Sequence, residues 1–164
     1  MHIKTSRLYL DTSVIGGCRD PEFAPWSNGL VEDLRARRFR PVLSDLLATE
    51  LQHAPPELRA IYDELLGLDP VTATTTAEVA ALLSAYEAHA VLGPRWRADM
   101  LHIALATVAE ADVVASWNFR HIVRFDKIRL FNAVNAEQGY RAVAIHSPRE
   151  ITTYGRDDEP GDEN

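Results

Sequence analysis

An α/β fold of three layers, with helices on both faces of a central parallel sheet, is what this sequence predicts, and three observations predict it. Short apolar, β-branched runs alternate along the chain with longer segments of helical periodicity, the pattern of strand–helix–strand crossovers. No internal repeat or interdomain linker interrupts that alternation. The 164 residues are 46% hydrophobic and 25% charged, ordinary values for one globular domain with a substantial core.

Taken in order, residues 7–10 (RLYL) read as a short buried strand ending on Asp11-Thr12-Ser13. Residues 18–27 hold two prolines and an aspartate and read as a loop. Residues 28–38 place Leu30, Val31 and Leu34 at helical spacing, and Arg35, Arg37, Arg38 and Arg40 cluster at the end of this segment. Residues 41–43 form a second strand. Ser44 then has the character of an N-cap opening a helix that runs to about Gln52. Pro55-Pro56 introduces a helix over 57–66, with Pro56 at a first-turn position where its missing N–H costs nothing. The Thr- and Val-rich stretch 70–74 is a third strand. Val79, Leu82, Leu83 and Tyr86 share one face of a helix over 76–90. A long helix follows over 95–110, then a fourth strand at 111–116 (ADVVAS), a helix over 128–137, and a last strand at 142–145 closed by Ser147-Pro148.

In a parallel sheet of this kind, ligands collect beyond the carboxyl ends of the strands. Asp11 directly follows the first strand and lies at that edge. Glu50 sits about a turn and a half into the helix after the second strand, and helical side chains lean back toward the N-terminus. Asp99 is in the first turn of the helix that runs antiparallel into the fourth strand, so it starts near that strand's carboxyl end. Asn118 comes two residues after the same strand. Asp112 opens its strand at the opposite edge. Asp45, in a helix's first turn, is explained by the macrodipole. Each acid alone has an ordinary reading: a turn cap for Asp11, a solvated position for Glu50, an i, i+4 pair with Arg95 for Asp99. Together they repel one another, and a hard divalent cation such as Mg²⁺ or Mn²⁺ resolves the conflict through oxygen ligation. The corresponding chemistry is attack of a metal-activated water on a phosphodiester.

The segments carrying these residues, LYLDTSVIGG, SDLLATEL, RADMLHIALAT and DVVASWNFRHI, resemble in order and spacing the PIN-domain nucleases, over about residues 8–151. The closing stretch FNAVNAEQGYRAVAIHSPREI resembles a toxin-like bacterial subgroup. The resemblance implies a PIN-like α/β/α fold and cleavage of single-stranded RNA with Mg²⁺ or Mn²⁺. It also implies a VapC-like toxin held inactive by a small antitoxin protein, with homodimers common in the family. It assigns Asp11, Glu50 and Asp99 as catalytic metal ligands, Asn118 as a further catalytic position, and Thr12 and Ser116 as hydroxyls supporting the ligands from behind. One departure stands out: SWNFRHI carries Asn118 where the family commonly has Asp. Asn offers a carbonyl oxygen without charge, which supports one cation and leaves a second to substrate phosphate. A PIN-like module that binds RNA or protein without cutting is therefore the alternative. A haloacid-dehalogenase-like phosphatase is disfavoured, because the second Asp that chemistry wants is here Ser13.

Among secondary candidates, His102 lies three residues after Asp99 and reads as a partly buried histidine satisfied by internal partners. Arg120, His121 and Trp117, close to Asn118, are candidates for RNA contact. Trp26 and Trp96, like Trp117, suit either base stacking or core packing, the usual fate of tryptophan, and Trp117 is the best placed of the three. The arginines from Arg35 to Arg40 suit either a phosphate-binding strip or a helix C-terminus. Cys18 is the lone cysteine, which rules out a disulfide within the chain. There is no secretory leader and no run of the ~20 apolar residues that spans a bilayer, so the expectation is a cytoplasmic protein without membrane contact. The net charge of −7 argues against a general nucleic-acid coat. Part of it is local: residues 156–164 carry five acids against one arginine. The expected organisation is one nuclease domain over 1–154 and an acidic, disordered tail over 155–164.

Overall fold

In the computed structural model, which describes residues 4–156, five parallel strands form one sheet in the order β3-β2-β1-β4-β5. β1 (Ser6–Leu10) is central, and Leu8, Tyr9 and Leu10 are fully buried. That suits a strand covered on both faces. Its alternation divides the interior in two. Tyr9 joins Val42, Val114 and Ile145 in a core covered by later helices, while Leu8 and Leu10 join Leu43 and Ala115 in a core covered by earlier ones. The three-layer architecture expected from the sequence is the one observed.

β2 (Phe39–Ser44), β3 (Val71–Ala73), β4 (Val113–Ala115) and β5 (Ala144–His146) all fall where β-rich runs stood in the sequence. Among the helices, α1 (Thr12–Gly17) was not anticipated, because six residues show too little periodicity to read. α2 (Ala24–Arg35) begins inside the expected loop, which shrinks to 18–23. Its apolar stripe starts only at Leu30, and Pro25, near its start, is tolerated because first-turn N–H groups have no helical acceptor. α3 (Asp45–Leu51) is capped as predicted, the Ser44 hydroxyl accepting from Leu47 N–H at 3.0 Å. α4 (Pro56–Leu66) and α5 (Ala77–Ala88) follow their patterns, with Thr76 capping α5.

The single helix expected over 95–110 is a 3₁₀ turn, Pro94–Trp96, leading into α6 (Arg97–Val108). α7 (Phe125–Glu137) starts three residues early. Ser147-Pro148 does not simply close β5. It opens α8 (Pro148–Ile151) through a capping box with Glu150. No helix among the described residues is long and apolar enough to cross a membrane. Most of the expected acidic tail, residues 157–164, lies outside the described residues, as do residues 1–3.

Three of the clustered arginines are committed to acids around the amino edge of the sheet. Arg35 pairs with Glu32 and Glu64, Arg38 with Asp33, and Arg40 with Asp69. They form no free phosphate strip, and the strands' carboxyl ends lie on the opposite side. Asp112 sits at this same amino edge, accepting from Arg7 N–H at 2.7 Å and from Arg141. Asp45 ties α3 to the segment after β3, accepting from the backbone and hydroxyl of Thr75.

Candidate active site at the carboxyl edge of the sheet

The pairing of Leu10 with Ala115 brings the ends of β1 and β4 side by side, so the residues just beyond them, Asp11 and Ser116, are neighbours. Asp11 precedes α1 at the N-cap position, yet its side chain makes no capping bond. Its Oδ2 accepts instead from the hydroxyls of Ser13 at 2.6 Å and Ser116 at 2.7 Å. The turn-cap reading of Asp11 is therefore replaced by an oriented, buried carboxylate. Ser13 also accepts from Trp117 N–H, and Ser116 from Asn118 N–H, which stitches α1 to the loop after β4.

Glu50, on α3, reaches the same place. Its Oε1 accepts from the Thr12 hydroxyl at 2.8 Å and from His102 Nε2 at 2.6 Å. His102 Nε2 is also 3.3 Å from Asp11 Oδ1. The imidazole, 2% exposed, thus stands between the two carboxylates. Its Nδ1 is 2.6 Å from the Tyr9 hydroxyl, which itself donates to Ser44 Oγ. A phenol that donates one way has only lone pairs left for the other, so Nδ1 donates to Tyr9 while Nε2 donates to Glu50. Both ring nitrogens then carry protons, and the ring is an imidazolium. The electrostatics agree. Burial alone would lower the His102 pKa, but the hydrogen bond to Glu50 and the charges of Asp11, Glu50 and Asp99 outweigh it and raise the value. In turn the His102 hydrogen bond, working against burial, holds Glu50 below the ordinary carboxylate range.

Asp99 lies one turn before His102 on α6, and its charge reaches the same imidazole. Its carboxylate is held by His121 Nδ1 at 2.9 Å, not by Arg95. Asn118 Oδ1 accepts from His121 N–H at 2.9 Å, so this carbonyl caps the turn that carries His121. The three predicted acids thus gather around one histidine, two by direct contact and Asp99 by charge. That histidine's internal-partner reading from the sequence matches its surroundings. Tyr9, Ser13 and Ser44 were not among the expected site residues. Ser13 had a local signal, being two residues after Asp11, but nothing in the sequence announces that a strand tyrosine meets a helix histidine.

Hard carboxylate oxygens are the donors that Mg²⁺ or Mn²⁺ takes. The arrangement, however, is not a ligand set. Among the described residues no three His, Cys, Asp or Glu side chains group as metal ligands. His102 holds the place between Asp11 and Glu50, and Asp99 is engaged by His121.

Trp117 corrects another expectation. It is 8% exposed, its indole N–H donates to Ser27 at 2.8 Å, and it stacks on Phe23 at 4.2 Å, so it packs the interior instead of offering a face to RNA. Gly17 makes this packing possible, since a Cβ there would lie 2.5 Å from Ser27 Oγ and 2.7 Å from Trp117 Nε1. Trp96, by contrast, is half-buried and lines an open cleft of about 430 Å³ with Arg95, Asp99, Asn118, Arg120 and His121. Cys18 is buried, which pushes its thiol up to about 11 and leaves it protonated and unreactive.

No protein-family model matches the sequence, and no curated protein matches it. Solved structures do match the fold, among them two toxin–antitoxin complexes. One is VapBC2 from Rickettsia felis bound to a DNA fragment from their promoter, at 11% identity and a TM-score of 0.54, covering 86% of this chain and 98% of the other. The second is FitAcB from Neisseria gonorrhoeae, at 18% identity and a TM-score of 0.53, covering 88% of this chain and 99% of the other. At such identities the likeness concerns architecture: this chain has a PIN-like α/β/α fold, built on a five-stranded parallel sheet.

Proposed function

We propose that this chain is an endoribonuclease that hydrolyses phosphodiester bonds of single-stranded RNA at the centre formed by Asp11, Glu50 and Asp99. We further read it as the toxin of a toxin–antitoxin pair, held by a small antitoxin protein. The observation that carries the reading is a charge imbalance at the carboxyl edge: three carboxylates, one just after β1 and the others on α3 and α6, act on a single imidazolium. A centre evolved only for stability would match its charges, and an excess of oriented carboxylates is what phosphodiester hydrolysis by a divalent ion uses. The sequence likeness to VapC-like toxins and the fold shared with VapBC2 and FitAcB support the toxin assignment.

In this reading Ser13 and Ser116 fix the Asp11 carboxylate, Thr12 fixes Glu50, and His121 fixes Asp99. Asn118 shapes the rim through its backbone cap. These oxygens would suit Mg²⁺ or Mn²⁺, which would supply an activated water for attack on the phosphodiester; here His102 stands between Asp11 and Glu50. The test is cleavage of single-stranded RNA with Mn²⁺, with Mg²⁺ and in EDTA, by the native chain and by Asp11→Asn and Asp99→Asn. Metal-dependent cutting lost in both variants is the expected result, and equal cutting in all samples would remove the proposal. A second reading, a module that binds without cutting, is favoured by two facts: His102 occupies the centre, and the Asn118 carbonyl is spent on the backbone. Calorimetry of Mn²⁺ against the native chain separates the two, since absence of any binding heat selects the binding module.

A further inference from the structure

Arg95 and Arg120 are distinguished by where they lie: both stand at the carboxyl edge beside Asp99, over one tryptophan. Among the described residues, every arginine ion pair leaves out Arg95 and Arg120. Both guanidinium groups instead lie over the Trp96 ring, at 5.1 Å and 5.5 Å from its centroid, and the His121 imidazole packs against that ring at 4.1 Å. The cleft they line with Asp99 and Asn118 continues past Trp96 into a second hollow of about 300 Å³, bordered by Val91, Arg124 and Lys127. Trp96, Arg120 and His121 border both hollows, which therefore adjoin, running from Asp99 to Lys127 and to Arg124, itself paired with Asp126.

The chemistry of this groove is that of a single-stranded nucleic-acid track. An accessible indole stacks any base without regard to sequence, guanidinium planes stack bases and bind phosphate oxygens, and a line of cations follows the backbone. We propose that the groove from Asp99 past Trp96 to Lys127 holds the nucleotides flanking the scissile bond, with one base against Trp96 and neighbouring phosphates on Arg95 and Arg120. The assignment deepens the nuclease reading and rests on it for the location of the scissile bond, but not for the stacking itself. It replaces Trp117 by Trp96 as the aromatic base platform and keeps Arg120 at the RNA, while His121, 8% exposed and bonded to Asp99, supports the Trp96 ring.

The bland explanation is that cation–π packing merely buries part of a surface tryptophan, and the experiment is chosen to separate the two. A labelled single-stranded oligo(U) is titrated onto the whole chain in EDTA, so that binding is read without cleavage. Trp96→Ala is expected to weaken binding roughly tenfold or more, with little change in salt dependence, and Trp96→Phe to restore most of it. Arg120→Ala is expected to reduce the slope of log affinity against log salt by about 0.7, the amount set by one phosphate contact to a single strand. Quenching of tryptophan emission on oligonucleotide addition should disappear in Trp96→Phe, which reads stacking without relying on the alanine variant folding. Affinity, salt slope and quenching unchanged in these variants would overturn the proposal and leave the groove to a protein partner. The two readings fail separately. Trp96-dependent binding by a native chain that never cuts overturns the nuclease and leaves the track. Cutting that is indifferent to Trp96 and Arg120 overturns the track alone.

Discussion

Two aspartates are buried among the described residues, and they are treated in opposite ways. Asp33, on α2, is 1% exposed and fully satisfied: it accepts from the Thr152 hydroxyl at 2.8 Å, from the Thr153 backbone at 3.0 Å and hydroxyl at 2.5 Å, and from Arg38 at 2.9 Å. Burial works to raise its pKa, but the hydrogen bonds from Thr153, Thr152 and Arg38 win and lower it. One carboxylate with a full complement of donors, tying α2 to the segment after α8, is a structural latch. Asp11, 6% exposed, has oriented hydroxyl partners but shares its only cation with Glu50, while Asp99 adds a third negative charge nearby. The difference teaches that burial of an acid says little about its role. What separates a latch from a candidate reaction centre is whether the surrounding protein balances the charge.

The strongest way to break the comparison is to remove one charge from each centre. Asp11→Asn or Asp99→Asn is expected to lower RNA cleavage by roughly a hundredfold or more while the protein stays folded, as read by gel assay and circular dichroism. Asp33→Ala is expected to do the reverse. It strands the donors of Thr152, Thr153 and Arg38, destabilises the fold by about 3 kcal/mol in urea unfolding, and leaves cleavage per folded molecule unchanged. Loss of cleavage in folded Asp33→Ala would erase the distinction between the two aspartates.

A finer test concerns His102. Replacing it in His102→Gln takes away the cation shared by Asp11 and Glu50, and is expected to cost about 2 kcal/mol of stability in EDTA. Mn²⁺ should stabilise this variant more than the native chain, because the ion then meets the carboxylates without competing with the imidazolium. Equal Mn²⁺ effects on both proteins would show that His102 does not compete with the ion.

The smallest effect is in the pH dependence of stability, limited to about 1.4 kcal/mol per pH unit for each linked proton. His102 has a raised pKa, so its stabilisation is complete below the ordinary imidazole value of about 6.5 and is lost as pH rises through the folded value. Asp33 and Glu50 have lowered pKa values, so theirs is present above the ordinary carboxylate range and is lost as pH falls through the folded values. The urea midpoint should therefore decline on both sides of a mildly acidic plateau. His102→Gln should flatten the alkaline side and Asp33→Asn the acid side. An alkaline decline that persists unchanged in His102→Gln would remove the imidazolium assignment.

Strands β1, β2 and β4 were legible because a strand buried on both faces must be continuously apolar, and such runs as Leu8–Leu10 and Val113–Ala115 have few other uses. The starts of α2 and α7 were not legible, since a proline or an exposed first turn carries no apolar stripe, and α1 and α8 are too short to have a period. Asp11, Glu50 and Asp99 could be proposed because each position follows from where a strand or helix ends. Their company could not. That Thr12 would bond Glu50, or that Trp117 would turn inward onto Phe23 and Ser27, depends on the angles at which helices settle on the sheet.

The sequence by itself determined the layer order and the edge to which the acids come, because periodicity and the direction of parallel strands are local properties repeated along the chain. Only the tertiary structure decided that an imidazolium, backed by Tyr9, stands between Asp11 and Glu50, and that Trp96 rather than Trp117 lies open beside two unpaired arginines. Those outcomes depend on distances of a few tenths of an ångström between residues some tens of positions apart, and such distances are set by packing against the sheet.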